Sequence, residues 1–201
     1  MPPKTPSEWD QRYRDQDLPW DSGIRSRELA KVLQEQHLEP CRAIELGCGS
    51  GTNAIFLAQQ GFTVTGVDCA PTALATARER AADAGVTVEF HEVDLCRFDA
   101  DFEPFDFLFD RGCYHCARQI ELDGFLATIA RLSRSGSLYL TLTGNANDES
   151  DEHIPKVREE EFRTELGELF DFEMLREIRF EDAGGIEGPL GWSCLMRRRA
   201  T

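Results

Sequence analysis

The feature that most constrains the fold of this chain is a regular alternation of short apolar runs with helical patterns. Runs at 43–46, 62–67 and 105–109 have the length and composition of buried strands, and segments with apolar side chains spaced three or four residues apart lie between them. This alternation predicts a mostly parallel sheet with helices on both faces. In such sheets, ligands bind outside the carboxyl ends of the strands.

The whole pattern predicts an α/β three-layer sandwich with seven strands. We expect strands at 43–46, 62–68, 86–90, 105–109, 138–142, 172–180 and 191–198. We expect one helix around Leu29–Leu33 and a second that follows the glycine-rich segment through Ile55 and Leu57 and stops near Gly61. Further helices are expected from Pro71 to Gly85, over 122–129 and over 157–168. The 201 residues suit a single domain, 1–201, with N-terminal lid helices over 1–40 and a ligand-binding core over 41–201.

Composition narrows the class of protein. The formal charge of −15 disfavours nucleic-acid and anionic-membrane partners, and the one dense basic cluster, Arg197-Arg198-Arg199, is expected to be a solvated strand end. Seven cysteines and an N-terminus without an apolar leader favour reduced thiols and a cytoplasmic location. We expect a monomer or homodimer.

Glycine and acidic residues end three consecutive predicted strands. Glu45-Leu46-Gly47-Cys48-Gly49-Ser50-Gly51-Thr52 follows the first strand, Asp68 ends the second, and Asp94-Leu95 follows the third. Such glycines let the backbone approach a ligand, and Asp68 is spaced to accept hydrogen bonds from ribose hydroxyls. A nicotinamide dinucleotide site is disfavoured, because Thr52 stands where the third glycine of G-x-G-x-x-G would be.

These three signals together resemble the class I S-adenosylmethionine (SAM)-dependent methyltransferases. The resemblance implies that Glu45, Gly47 and Gly49 hold the methionine part of SAM and that Asp68 binds the ribose. It implies that Asp94 and Leu95 frame the adenine. Further residues expected beside the cofactor are Trp9, Cys48, Gly51, Cys69 and Asp110.

Motifs outside the cofactor segments resemble the thiopurine and thiol/halide methyltransferase group. They are Trp9-x-x-x-Tyr13, Pro19-Trp20-Asp21, Asp110-Arg111-Gly112 and the ending through Trp192. The resemblance implies a small, soft methyl acceptor, a thiol in first place. Thiopurines themselves are in doubt, because the glycine loop and Asp68 are of the general class I type.

Four residues are candidates for the acceptor site. We expect Trp20, with Tyr13, to wall the pocket and Arg111 to steady an anionic acceptor or the SAM carboxylate. Tyr114 is either a hydrogen-bond donor or a packing residue, and His115 either a proton acceptor or a packed histidine. Packing roles are also open for the tryptophans and for a structural Asp110–Arg111 pair.

Cys113-x-x-Cys116 raises the alternatives of zinc, redox chemistry or a metalloid acceptor. A structural zinc needs four ligands and no second such pair exists, so we predict no resident metal. Cys48, Cys69 and Cys96 also lie near predicted strand ends and could converge with this pair. Methylation of oxygen, nitrogen or a metalloid, and a SAM-binding scaffold without catalysis, remain alternatives.

Overall fold

A computed structural model describes residues 5–98, 101–149, 154–181 and 187–200 of the chain. Met1–Lys4 belong to the N-terminus that we expect to lack an apolar leader, and they lie outside the described residues. The fold that the sequence predicts is confirmed in its class: a central sheet carries helices on both of its faces.

The helices and strands alternate along most of the chain. The helices are α1 (Pro6–Arg14), α2 (Arg27–Glu35), α3 (Thr52–Gln59), α4 (Pro71–Asp83), α5 (Cys113–Leu132) and α6 (Glu159–Leu166). The strands are β1 (Arg42–Leu46), β2 (Thr63–Asp68), β3 (Glu89–Glu92), β4 (Phe105–Arg111), β5 (Ser133–Asn145), β6 (Lys156–Val157), β7 (Phe170–Glu181) and β8 (Glu187–Arg198).

The strand order of the sheet is β3-β2-β1-β4-β5-β8-β7, and the short β6 pairs with the end of β5. Strands β1 to β5 run parallel, whereas β8 is antiparallel to both β5 and β7. The strand order reverses at β1, because the next strand along the chain, β2, lies on one side of it and β4 lies on the other. Crevices at such a reversal are the usual ligand sites of open α/β sheets.

Two apolar clusters cover the two faces of the sheet. On one face, residues of β1 and β4 such as Ala43 and Phe107 pack with α2, α3 and α4. On the other face, Ile44 and Leu108 pack with α5 and α6. Because neighbouring residues of a strand point to opposite faces, burial of both faces requires the nearly continuous apolar runs seen in the sequence.

The structure differs from the sequence-based expectation at three elements. The third strand begins at Glu89, so the expected positions Val86 and Val88 lie before it, partly buried against the core. The helix expected around 122–129 is present as the second part of α5. A helical segment that the sequence did not predict precedes it from Cys113, and the two are separated at Glu121, whose backbone is extended. The additional β6 raises the number of strands among the described residues to eight.

The N-terminal helix α1 forms a complete local unit. Pro6 occupies its first turn, and Thr5 and Glu8 form a reciprocal capping box. Of the N-terminal lid expected over 1–40, helix α2 instead packs in the core against the sheet. Helix α1 and residues 19–21 contact the glycine loop and the end of β4, and we use the word lid for these two segments. None of the helices in the described ranges is long and apolar enough to cross a bilayer.

Candidate active site

The glycine-rich loop joins β1 to α3 at the reversal point of the sheet. Gly47, Gly49 and Gly51 all have positive φ angles, of 65°, 53° and 81°, a conformation that other residues adopt only at a cost. A Cβ atom on Gly49 would lie 2.6 Å from the hydroxyl of Tyr13. The loop therefore needs glycine both for its conformation and for the close approach of the lid.

Asp68 fixes the loop from the end of the neighbouring strand. Its Oδ2 accepts a hydrogen bond from the backbone N–H of Gly49 at 2.8 Å, and its Oδ1 accepts one from Ala70 at 2.9 Å. Burial raises the pKa of Asp68, although these N–H groups oppose the rise. The glycine loop and Asp68, which the sequence places at the ends of consecutive strands, are thus in direct contact.

Glu45 is a buried carboxyl group at the end of β1. It is 2% exposed, and its Oε1 accepts a hydrogen bond from Asn53 at 3.2 Å. Its Oε2 is buried and has no hydrogen-bond partner among the residues of the described ranges. Burial raises the pKa of Glu45 to about 8. A buried acceptor of this kind is costly unless a donor, such as a ligand ammonium group, binds it.

Three aromatic side chains of the lid lie together over the loop. The Trp20 ring stands edge-on to Trp9 at 5.5 Å and to Tyr13 at 6.3 Å, and its Nε1 lies 3.4 Å from the Tyr13 hydroxyl. Asp21 accepts a hydrogen bond from Ser50 at 2.6 Å. The lid therefore contacts the glycine loop at two of its residues, Gly49 and Ser50.

Arg111, at the end of β4, links the sheet to the lid. Its Nη1 donates to the backbone carbonyl of Trp20 at 3.1 Å, and its guanidinium lies 4.9 Å from the centre of the Phe180 ring. Its Nε is buried, without a partner in the part of the chain that the structure describes. Burial lowers the pKa of Arg111, although Glu181 and Glu45 oppose this with their negative charge.

The structure corrects the expected role of Asp110. This side chain is fully buried, and its Oδ1 accepts from the backbone N–H groups of Cys113 and Tyr114, at 2.9 and 3.0 Å. Its Oδ2 accepts from the Tyr139 hydroxyl at 2.6 Å. Both oxygens are therefore engaged at the start of α5 and beneath it. Asp110 caps α5 rather than facing the cofactor, and it forms no pair with Arg111.

Tyr114 belongs to the core. It is 0% exposed, and its ring packs against Phe125 and Phe162. Its hydroxyl donates to Glu165 at 2.7 Å. The structure therefore assigns Tyr114 the packing role and not the acceptor contact that we considered.

His115 is buried beside the end of β5. Its Nδ1 accepts a hydrogen bond from the backbone N–H of Gly144 at 2.9 Å. Burial, with the nearby charges of Arg111 and Arg118, lowers its pKa to about 3. The ring is neutral near pH 7 and, because Nδ1 accepts, its proton is on Nε2. His115 can donate from Nε2 but cannot accept a proton there, which corrects the hypothesis that it is a proton acceptor.

The remaining expected cofactor residues follow the ends of β1, β2 and β3. Asp94 accepts from the backbone N–H of Cys96 at 2.9 Å. Burial raises the pKa of the partly buried Cys69, and the negative charges of Asp68 and then Asp94 add to this rise. The Leu95 side chain is buried in the core. Cys48 has its sulfur in the core, against Gly66, so that only its backbone belongs to the loop surface.

The cysteines are free thiols, and within the described ranges no group of three or more His, Cys, Asp or Glu side chains is arranged to hold a metal ion. Burial raises the pKa of Cys116 to about 12 and also raises that of Cys113. The sulfur of Cys113 would lie 3.1 Å from a Cβ on Gly47. This thiol is therefore a protonated packing group beneath the loop.

Three contacting residues were not foreseen from the sequence. Ser50 binds Asp21, Arg80 binds Ser50 and lies 3.7 Å from Asp21, and Phe180 supports Arg111. Arg80 lies in the last turn of α4 and Phe180 near the end of β7, so no local motif marks either. Only Ser50 carried a signal, because it stands between two of the loop glycines.

The residues present fit SAM as the donor. Among the buried polar atoms that lack partners within the described ranges are one acceptor and one donor of this site, Glu45 Oε2 and Arg111 Nε. The methionine part of SAM carries the complementary groups, an ammonium and a carboxylate. Asp68 and the three left-handed glycines add a buried carboxylate and a closely turned backbone at the same strand ends.

Comparisons with known proteins agree with this geometry. Residues 43–136 match the model of a family described as a methyltransferase domain. A 2-heptyl-1-hydroxyquinolin-4(1H)-one methyltransferase of Mycobacteroides abscessus is 31% identical over 126 residues, which are 62% of this chain and 55% of the relative. The chain spans about half the length of the first curated relatives that it matches.

Solved structures show the same fold. A solved structure described by the words "conversion of a disulfide bond into a thioacetal group during echinomycin biosynthesis" has a TM-score of 0.81 at 24% identity, and the match covers 97% of this chain and 93% of that one. The 1,6-didemethyltoxoflavin-N1-methyltransferase of Burkholderia thailandensis, solved with S-adenosylhomocysteine bound, has a TM-score of 0.71 at 21% identity, covering 96% and 87%.

The fold, the loop with its two carboxylates and the domain match lead to one conclusion. Residues 43–136 match a methyltransferase domain, on a fold that solved SAM-dependent methyltransferases share.

Proposed function

We propose that this protein transfers a methyl group from SAM to a small, soft nucleophile, a thiol in first place. SAM, when bound, supplies an electrophilic methyl group on a positively charged sulfur. The observation that carries the proposal is the hydrogen bond that His115 Nδ1 accepts from the backbone N–H of Gly144 at 2.9 Å. Because burial also lowers the pKa of His115, the ring is neutral near pH 7 with its proton on Nε2. A site with this histidine favours an acceptor that ionises without a strong base, and thiols lose their proton near pH 8.5.

The lid supports the same acceptor class. Trp9, Tyr13 and Trp20 form an aromatic surface over the glycine loop, held there by Arg111 and Ser50. An aromatic wall excludes water from an anionic nucleophile and fixes its approach to the methyl group. Trp20 is the residue of this wall that Arg111 positions directly, through the backbone carbonyl.

Different residues of the site bind the ribose, the methionine part and the adenine of SAM in this proposal. We propose that Asp68 accepts from the ribose hydroxyls, in addition to the two backbone N–H groups that it already orients. Glu45 Oε2 and Arg111 Nε pair with the ammonium and carboxylate of the methionine part. Asp94 and Leu95 lie beside the adenine, with Cys69 next to Asp94.

A second acceptor class has a specific observation in its favour. The curated relative at 31% identity is named for a 1-hydroxyquinolin-4(1H)-one, a planar ring that carries an N-hydroxyl group. Such a hydroxyl is more acidic than an ordinary alcohol, so, like a thiol, it can lose its proton without His115 acting as a strong base. An oxygen acceptor on a planar ring is therefore the alternative substrate.

One assay separates these acceptors. Formation of S-adenosylhomocysteine is measured with an aromatic thiol, an alkyl thiol, iodide and a 1-hydroxyquinolin-4(1H)-one, each with wild type, Trp20→Ala and the matched control Trp20→Phe. We expect the thiols to give the highest kcat/KM and Trp20→Phe to retain more activity than Trp20→Ala. A preference for the quinolone over both thiols would contradict the thiol proposal.

The same assay tests catalysis itself. Calorimetry with S-adenosylhomocysteine shows whether the cofactor site is intact in each variant. Tight binding of this product without methyl transfer to any acceptor would overturn the catalytic proposal and leave a SAM-binding scaffold.

A further inference from the structure

Helix α4 begins without a cap from its own sequence. Its N-cap residue is Ala70, which has no side-chain acceptor, and Pro71 follows as the first helical residue. The first backbone N–H groups of a helix need acceptors, and Ser, Thr, Asp or Asn at the N-cap usually provide one. Here the acceptor for the Thr72 N–H is Asp10, 62 residues earlier in the chain, at 2.8 Å.

Asp10 is held in place for this contact. It lies on α1, within the lid, and is 2% exposed. Its Oδ1 accepts from Thr72, whereas its Oδ2 is paired with Arg14, one turn further along α1. Both carboxylate oxygens are therefore engaged, one within the lid and one across to the core.

The capped helix end is continuous with the cofactor site. Asp68 Oδ1 accepts from the N–H of Ala70, and Asp10 Oδ1 accepts from the N–H two residues further on. Asp68, which we propose binds the ribose, and Asp10 of the lid therefore accept hydrogen bonds from the same turn of backbone. Asp68 also holds Gly49, over which the Tyr13 hydroxyl of the lid lies.

We propose that Asp10 is a positioning residue that latches the lid over the cofactor site by capping α4. It touches neither the donor nor the acceptor, and it acts by keeping Tyr13 and Trp20 against the glycine loop. The proposal rests on SAM as the donor, and it does not depend on which acceptor is methylated. Loss of the latch opens the lid more often and releases bound cofactor faster.

The test measures the dissociation rate of S-adenosylhomocysteine by stopped-flow tryptophan fluorescence. For Asp10→Ala we expect release roughly tenfold faster, the scale of a lost helix cap. Asp10→Asn keeps an acceptor oxygen and should lie between this variant and wild type. Asp15→Ala, which removes an exposed carboxylate from the end of the same helix, is the matched control and should release the ligand at the wild-type rate.

A second variant separates latching from simple stabilisation of α4. Ala70→Ser places a hydroxyl at an N-cap whose backbone is already extended, with φ −102° and ψ 102°. In the Asp10→Ala background it should restore the stability of the fold, measured by denaturant unfolding, but leave release fast. Hydrogen exchange of residues 5–21 should stay accelerated.

Two results would overturn the latch. One is release of S-adenosylhomocysteine from Asp10→Ala and Asp10→Asn at the wild-type rate. The other is recovery of slow release by Ala70→Ser, which would mean that Asp10 only stabilises the helix. Neither readout requires methyl transfer, so an incorrect acceptor proposal would leave the test intact.

Discussion

Glu45 allows the cofactor site to be tested through pH. Burial raises the pKa of this carboxyl group from its ordinary 4.5 to about 8. The folded protein therefore binds a proton there that the unfolded chain releases between these two pH values. Stability from this group is full below pH 4.5 and is lost as pH rises through 8. Replacement by glutamine removes this dependence and keeps an oxygen for Asn53.

The size of the effect follows from the same two values. A rise from 4.5 to about 8 corresponds to about 5 kcal/mol at most, taking about 1.36 kcal/mol per pKa unit. We expect Glu45→Gln to match wild type in free energy of unfolding near pH 4.5. It should become progressively more stable than wild type up to pH 9. Urea unfolding at intervals across this range measures the difference, and wild type supplies the contribution of all other groups.

Wild type, although less stable than Glu45→Gln at high pH, should bind S-adenosylhomocysteine more tightly there. An ammonium group paired with Glu45 Oε2 favours the ionised carboxyl, so the affinity of wild type for S-adenosylhomocysteine should rise between pH 6 and 8. Glu45→Gln should bind about 10- to 100-fold more weakly at pH 8, the scale of a lost charged hydrogen bond. Calorimetry checks both statements. A variant that gains no stability at high pH, or that binds as tightly as wild type, would refute the reasoning.

Four further predictions test neighbouring parts of the site. Asp68→Ala should weaken S-adenosylhomocysteine binding by about 1–3 kcal/mol in calorimetry, and unchanged affinity would exclude the ribose contact. Trp20→Ala should lower kcat more than it weakens cofactor binding, and the reverse order would place Trp20 in the cofactor site. Gly47→Ala should lower the free energy of unfolding by about 1–3 kcal/mol, because its Cβ would lie 3.0 Å from that of Cys113 and φ is positive; a wild-type melting curve would contradict this. His115→Gln should keep the shape of the wild-type pH–rate profile between pH 5 and 8, since the pKa of His115 is about 3; loss of an inflection near pH 6.5 would show that His115 titrates there.

The parallel sheet could be predicted because its signal is local. A strand buried on both faces must be apolar at nearly every position, and 105–109 is such a run. The glycine loop and Asp68 could be predicted for a related reason, since both stand at the ends of recognisable strands. Their contact then follows from the parallel pairing of β1 with β2.

The roles of Asp110 and Tyr114 depended on where α5 begins. Periodicity indicated the helix around 122–129 but not the helical segment that precedes it from Cys113, and the first N–H groups of that segment bind the Asp110 carboxylate. The extended backbone at Glu121 interrupts the apolar spacing that would have revealed the earlier start. The motif at the end of β4 therefore contains two residues with different roles. Asp110 caps α5, and Arg111 contacts the lid at Trp20.

Contacts across long sequence separations could not be predicted. The cap of α4 comes from Asp10, and the Ser50–Asp21 bond spans 29 residues. Each depends on how the lid lies over the sheet, which no spacing within the sequence specifies. The sequence did mark the lid as aromatic, and the structure places those aromatics over the loop.

The central claim is that the 47–51 loop, Glu45 and Asp68 together hold an adenosyl sulfonium. A crystal structure of the protein with S-adenosylhomocysteine bound tests this most directly. We predict that the ribose hydroxyls lie within hydrogen-bond distance of Asp68 and that the ligand ammonium meets Glu45 Oε2. A ligand bound away from the loop, with both carboxylates turned from it, would contradict the account.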